Sequence, residues 1–191
     1  MSTKSLEAMW RPWDGRGLEH LRLRVGESGV EADGVVIGEE DGVAFRARYV
    51  IVCDPGWRTR EVILDPLDGR ASLHLRSDGE GNWSDASGRS ISELGGCTDV
   101  DLSATPFTNT LPIRRLDLGQ EESSEIAVVY VDVPNLRLDT SRQRYTCLER
   151  SAGGGLYKYE DEGSFRGFTA DLPVDANGLV LDYPGIFRRL F

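Results

Sequence analysis

Histidine and cysteine are scarce in this chain of 191 residues: two histidines, His20 and His74, and three cysteines, Cys53, Cys97 and Cys147. With no Cys-x-x-Cys pair beside them, a zinc site is not expected. The cysteines are odd in number, far apart and set in apolar runs, so free buried thiols in a reducing compartment are expected rather than disulfides. No Gly-x-Ser-x-Gly elbow occurs, and the run Gly153 to Gly155 is not followed by Lys-Ser or Lys-Thr. A serine-triad hydrolase, a metal-dependent hydrolase and a phosphate loop all lack their parts, and no cofactor is expected. No apolar run approaches the ~18 residues that span a bilayer, and the stretch from Met1 to Trp10 has no apolar signal core. Both point to a cytoplasmic protein. Basic residues are in deficit, 22 Lys and Arg against 32 Asp and Glu, for a formal net charge of −10. This argues against nucleic acid, whose backbone needs clustered Lys and Arg, and favours sugar hydroxyls or cations as partners.

What the chain does have is period-two alternation. Leu21, Leu23 and Val25 share one face, with Arg22 and Arg24 on the other. Phe45, Ala47, Tyr49, Ile51 and Cys53 line up in the same way, and Leu73 and Leu75 alternate with His74 and Arg76. Between such runs stand Gly38 to Gly42, Asp78 to Asn82 and Asp175 to Gly178, which supply the left-handed positions that hairpin turns require. About a dozen strands at this spacing suit a barrel or a large wrapped sheet. No linker divides the chain, so residues 1–191 read as one domain. Asp78 to Asn82 spaces oxygen side chains like a calcium loop, but Trp83 and Arg89 stand where an EF-hand needs Gly and Glu, which leaves a solvated hairpin tip.

One segment resists the strand reading. Thr110 is a candidate N-cap, and Pro112 is tolerable in a first turn but not in a helix interior. A short helix beginning near Asn109 and running through Arg114, Arg115 and Leu116 is therefore expected. A faint duplication also shows. Arg76 to Trp83 matches Arg150 to Tyr157 as Arg-Ser-x-Gly-x-Gly-x-aromatic, and Arg114 to Leu116 matches Arg188 to Leu190, both at an offset of 74. This predicts two related half-sheets, over residues 43–116 and 125–190.

The stretch from Cys97 to Leu116 carries the chemistry. Asp99 and Asp101 lie two apart, so a strand would point both to one face. There they can act as acid and base, accept hydrogen bonds from sugar hydroxyls, or pair with Arg114 and Arg115. Thr105, Thr108, Asn109 and Thr110 add hydroxyl and amide groups that suit sugar recognition or simple capping. Trp10, Trp13, Trp57 and Trp83 fall near turns or strand ends, where aromatics cap a core, stack on sugars or border a lipid cavity.

Cys53 to Leu64, Leu75 to Trp83, Cys97 to Leu116, Arg142 to Arg150 and Val174 to Leu190 together resemble the bacterial family named "putative glycolipid-binding", over nearly the whole chain. The resemblance implies a mainly β fold, a large antiparallel sheet or open barrel wrapped around a single short helix. It also implies an acidic pocket, a homodimer and a role in glycolipid metabolism. No catalytic residue carries over from the family. The candidate ligand contacts are Asp99, Asp101, Asn109, Trp57, Trp83, Arg76, Glu149 and Tyr157. The expected activity is non-enzymatic binding of a glycolipid or similar amphiphile. The alternative is a carboxylate-dependent hydrolase or isomerase acting on a sugar-containing substrate. Self-association is expected on separate grounds, because a wrapped sheet exposes edges that pair with another chain.

Overall fold

The computed structural model describes residues 3–40 and 42–191. Asp41, in the turn expected between Gly38 and Gly42, lies outside the described residues, as do Met1 and Ser2 at the start of the segment searched for a signal core. The alternating segments become β1 (Lys4–Pro12), β2 (Gly17–Gly26), β3 (Gly29–Glu40), β4 (Val43–Cys53), β5 (Thr59–Asp65), β6 (Leu73–Ser77) and β7 (Trp83–Asp85), one antiparallel meander. The chain then crosses to a second sheet through β8 (Asp99–Leu102) and turns through α1 (Thr110–Leu116). It continues as β9 (Ser123–Asp132), β10 (Arg137–Ser151), β11 (Gly154–Asp161) and β12 (Thr169–Asp175). Finally β13 (Asp182–Tyr183) and β14 (Phe187–Arg189) return to the first sheet beside β1.

The result is a nine-stranded sheet, β13-β14-β1-β2-β3-β4-β5-β6-β7, and a five-stranded sheet, β12-β11-β10-β9-β8. The protein is mainly β with one short α-helix, and the large antiparallel sheet is present. It stays open rather than closing into a barrel, and β8 joins β9 in parallel. Among the described residues no helix is long and apolar enough to cross a membrane.

The core follows from the alternation. Leu21, Leu23, Tyr49, Ile51, Leu64 and Leu75 are buried on the inner face of the large sheet, while Arg22 and Arg24 face solvent. Burial of each such apolar side chain stabilises the fold by roughly 1.5–3 kcal/mol. β8 and β9 send opposite faces to two cores. Val100, Leu102, Val129 and Val131 pack beneath the nine-stranded sheet, and Ile126 and Val128 join the second cluster with Tyr145, Tyr159 and Leu172. The helix is wedged between them, since Leu111 belongs to the first cluster and Ile113 to the second. Cys53, Cys97 and Cys147 are free and buried.

Two expectations are corrected. Thr110 is not the N-cap: Asn109 holds that position but makes no side-chain cap, because its amide donates to the Pro106 carbonyl and its Oδ1 accepts from Tyr145. The two hairpins of the repeat are also not equivalent. The first joins β6 to edge strand β7 across a five-residue tip organised by Asp78 Oδ1, which accepts from the Glu80 and Asn82 amides. The second joins inner strands β10 and β11 across two residues, Ala152 and Gly153. Arg114 and Arg115 are helical, whereas Arg188 and Arg189 lie in β14.

Candidate functional site

Strand periodicity places Asp99 and Asp101 of β8 on one face, and Tyr130 of β9, Ser141, Gln143 and Tyr145 of β10, and Tyr159 and Asp161 of β11 fall on the same face by register. The two aspartates then diverge. Asp99 is fully buried and grips Arg115 of α1, with Arg115 Nε and Nη2 donating to its two oxygens at 3.1 and 2.6 Å. Among the described residues Asp101 meets no arginine. Thr108 donates to its Oδ1 at 3.0 Å and Gln143 Nε2 to its Oδ2 at 2.7 Å.

Asp101 borders a cavity of about 340 Å³, within the span of ordinary ligand clefts. Its polar wall is Asp101, Ser103, Thr105, Asn109 and Asp161, and its aromatic wall includes Tyr130, Tyr159, Phe165, Phe168, Tyr183 and Phe187. Asp161 comes from the end of β11, where its Oδ1 accepts the Gly163 and Phe165 amides and so shapes the loop that carries Phe165. Its Oδ2 receives the Tyr159 hydroxyl at 3.2 Å. Tyr159, Phe168 and Tyr183 contact one another through their rings, and exposed Phe165 meets Tyr130 edge-on at 5.7 Å.

Burial pushes the Asp101 carboxyl above its ordinary range, against the lowering effect of Gln143 and Thr108, and nearby Asp161 raises it further. Burial likewise raises the Tyr159 and Tyr183 phenols, and Tyr130 is pushed up to about 12. These hydroxyls stay protonated and serve as donors. Among the described residues no Lys, Arg or His borders the cavity. The arrangement thus offers carboxylate and amide acceptors to a donor-rich group, beside aromatic surface for an apolar one. Among the described residues no group of three or more His, Cys, Asp or Glu is placed to hold a metal ion.

Of the eight candidate ligand contacts read from the sequence, Asp101 and Asn109 border this cavity, as does Thr105 from the same stretch. The others are elsewhere. Asp99 is taken up by Arg115. Trp57 is buried beneath the Arg114 guanidinium, 5.4 Å from its ring, and Trp83 is buried with its indole donating to the Cys97 carbonyl. Arg76 pairs with Glu61 on the outer face of the large sheet. Tyr157 borders a separate small cleft with Arg150, and Glu149 is exposed at a bulge in β10. Asp161, Tyr130, Tyr159, Phe165 and Tyr183 were not foreseen. The spacing Tyr157-x-Tyr159-x-Asp161 did carry a signal, since it puts an acid and two phenols on one strand face.

A family model described as "Putative glycolipid-binding" matches residues 7–189. Among solved structures, the chain is similar to a DUF1089 family protein from Pseudomonas aeruginosa, with 36% identity, 92% of each chain covered and a TM-score of 0.77. No curated protein matches.

Proposed function

Because the chain belongs to the family described as "Putative glycolipid-binding", we propose that the Asp101 cavity binds the sugar end of a glycolipid or similar amphiphile without chemical change. The observation that carries this reading is the position of Asp101, a carboxyl with no arginine partner among the described residues, in a cavity it shares with six aromatic rings. Sugar hydroxyls donate to Asp101, and the rings of Tyr183, Phe168 and Phe165 cover the apolar part. The absence of any cationic side chain along the wall favours neutral sugar head groups over phosphate or sulfate. Native mass spectrometry with a panel of neutral glycolipids and anionic phospholipids tests this. Adducts with the neutral class support it, and no adduct with any glycolipid overturns it.

A second reading, a carboxylate-dependent hydrolase or isomerase acting on a sugar-containing substrate, draws on the raised Asp101 carboxyl, which can hold a proton for donation, and on Asp161 at the same cavity. Release of a chromophore from aryl glycosides, lost on Asp101→Asn, would favour it over simple binding.

We further infer a cytoplasmic homodimer. Three free buried thiols fit a reducing compartment, and the open sheets have edges at β7, β13, β8 and β12. Light scattering reads the assembly directly, and a mass near 21.1 kDa at micromolar concentration excludes the dimer.

A further inference from the structure

A second cavity, of about 200 Å³ or roughly seven water volumes, adjoins the first, with Ser103, Ile186 and Phe187 bordering both. Its apolar walls include Trp10, Val36 and Phe45 from the inner face of the large sheet, and three carboxylates border it: Glu19, Glu39 and Glu40. Among the described residues no Lys, Arg or His does. Glu39 is paired with Arg16 at 2.8 Å. Glu19 differs. It is 2% exposed, and its Oε1 accepts from the Tyr49 hydroxyl at 2.5 Å and from Thr105 Oγ1 at 2.6 Å. Its Oε2 is buried and has no hydrogen-bond partner among the described residues. Holding Tyr49 and Thr105 needs one acceptor oxygen. A buried carboxyl whose second oxygen is unmatched carries a desolvation cost that a donor would relieve.

We propose that this cavity is a second binding site, for a small apolar molecule carrying a protonated amine, with Glu19 as its counter-charge. The aromatic and aliphatic walls take the hydrocarbon part, and the ammonium pairs with the Glu19 carboxylate, which borders the cavity. The site is independent of the reading given to the Asp101 cavity. Burial pushes the Glu19 carboxyl up to about 7, against the lowering effect of Thr105 and Tyr49. An ammonium ligand therefore draws a proton off Glu19, and binding tightens from pH 6 to pH 8. Of the titratable groups around Glu19, Tyr49 from β4 bonds to it, and Glu39 and Glu40 from β3 border the same cavity. Trp10 and Pro12 of β1, the Ser103 to Thr105 link and the Ile186–Phe187 turn add none.

The experiment titrates the full chain with n-butylamine and 1-butanol at pH 8 and follows the Trp10 indole signal by NMR. The amine should bind about tenfold to a hundredfold more tightly, as expected for a charge-assisted hydrogen bond. Glu19→Gln should bring the two to parity. Equal binding in the wild type, no binding of either at tens of millimolar, or an amine preference surviving Glu19→Gln overturns the proposal. If that variant does not fold, the wild-type Glu19 carboxyl signal decides: butylamine must lower its titration midpoint, and an unchanged midpoint overturns the proposal.

Discussion

Arg115, in the last turn of α1, holds both oxygens of Asp99 and thereby leaves Asp101, two residues along the same strand, as the β8 carboxylate that meets the cavity. One helix of seven residues sorts two chemically identical side chains into a structural role and a candidate binding role.

That sorting is measurable. Arg115→Ala strands a fully buried carboxylate, and loss of one partner of a buried pair costs about 3–5 kcal/mol. Urea unfolding should show a loss of this size. A change below about 1 kcal/mol would mean that the pair does not hold α1 against β8.

Binding should track the cavity rather than the residues first singled out from the sequence. Asp101→Asn should weaken binding of a neutral glycolipid by about tenfold or more, read by native mass spectrometry or calorimetry. Arg76→Ala and Tyr157→Phe, both remote from the cavity, should leave it unchanged. Equal losses in all three variants would place the ligand elsewhere.

Stability should fall with rising pH in a window set by Glu19. Its folded value of about 7 lies above the ordinary 4.5, so between these limits the folded state keeps a proton that the unfolded state has lost. The stabilisation is complete below pH ~4.5 and is lost by about pH 7, for a total near 3 kcal/mol. Asp101 is raised too and slopes the same way. Asp33, Glu61 and Asp175 are lowered, so their contributions are present above ordinary carboxylate values and disappear only on acidification below them. Urea unfolding of wild type and Glu19→Gln from pH 5 to 8 isolates the effect. The wild type should lose ground relative to the variant as pH rises, and parallel curves would refute the assignment.

Gly34 on β3 lies directly across from Tyr49 on β4, and a methyl group at Gly34 would fall inside the Tyr49 ring. Gly34→Ala must displace that ring from Glu19. Thermal unfolding should report a loss of about 1–3 kcal/mol, typical of overpacking, together with an altered Glu19 titration. An unchanged Glu19 midpoint would show that the ring moves without breaking its hydrogen bond.

Much of this architecture was legible locally. Alternation at Leu21, Leu23 and Val25 and from Phe45 to Cys53 marked strands and their buried faces, the Asp78 turn marked a hairpin, and the Asp175 turn marked a reversal that carries the chain from one sheet to the other. The prolines confined the helix to the residues after Asn109. Even the shared face of Asp99 and Asp101 followed from a two-residue period, because side-chain direction in a strand is a property of the backbone alone. Partner choice is different. Whether Asp99 or Asp101 meets Arg115, and whether Trp57 and Trp83 border a pocket or fill a core, depends on which strands adjoin across long stretches of chain. The parallel β8–β9 pairing brings Asp101 to Gln143, and the return of β13 and β14 to the first sheet brings Tyr183 and Phe187 to the cavity that Asp161 borders. Sequence alone determined strands, turns and free thiols, because these depend on neighbours a few residues away. Only the tertiary structure decided that buried carboxyls such as Asp101 and Glu19 would lack a basic partner, because burial and pairing of charge are properties of the packed whole.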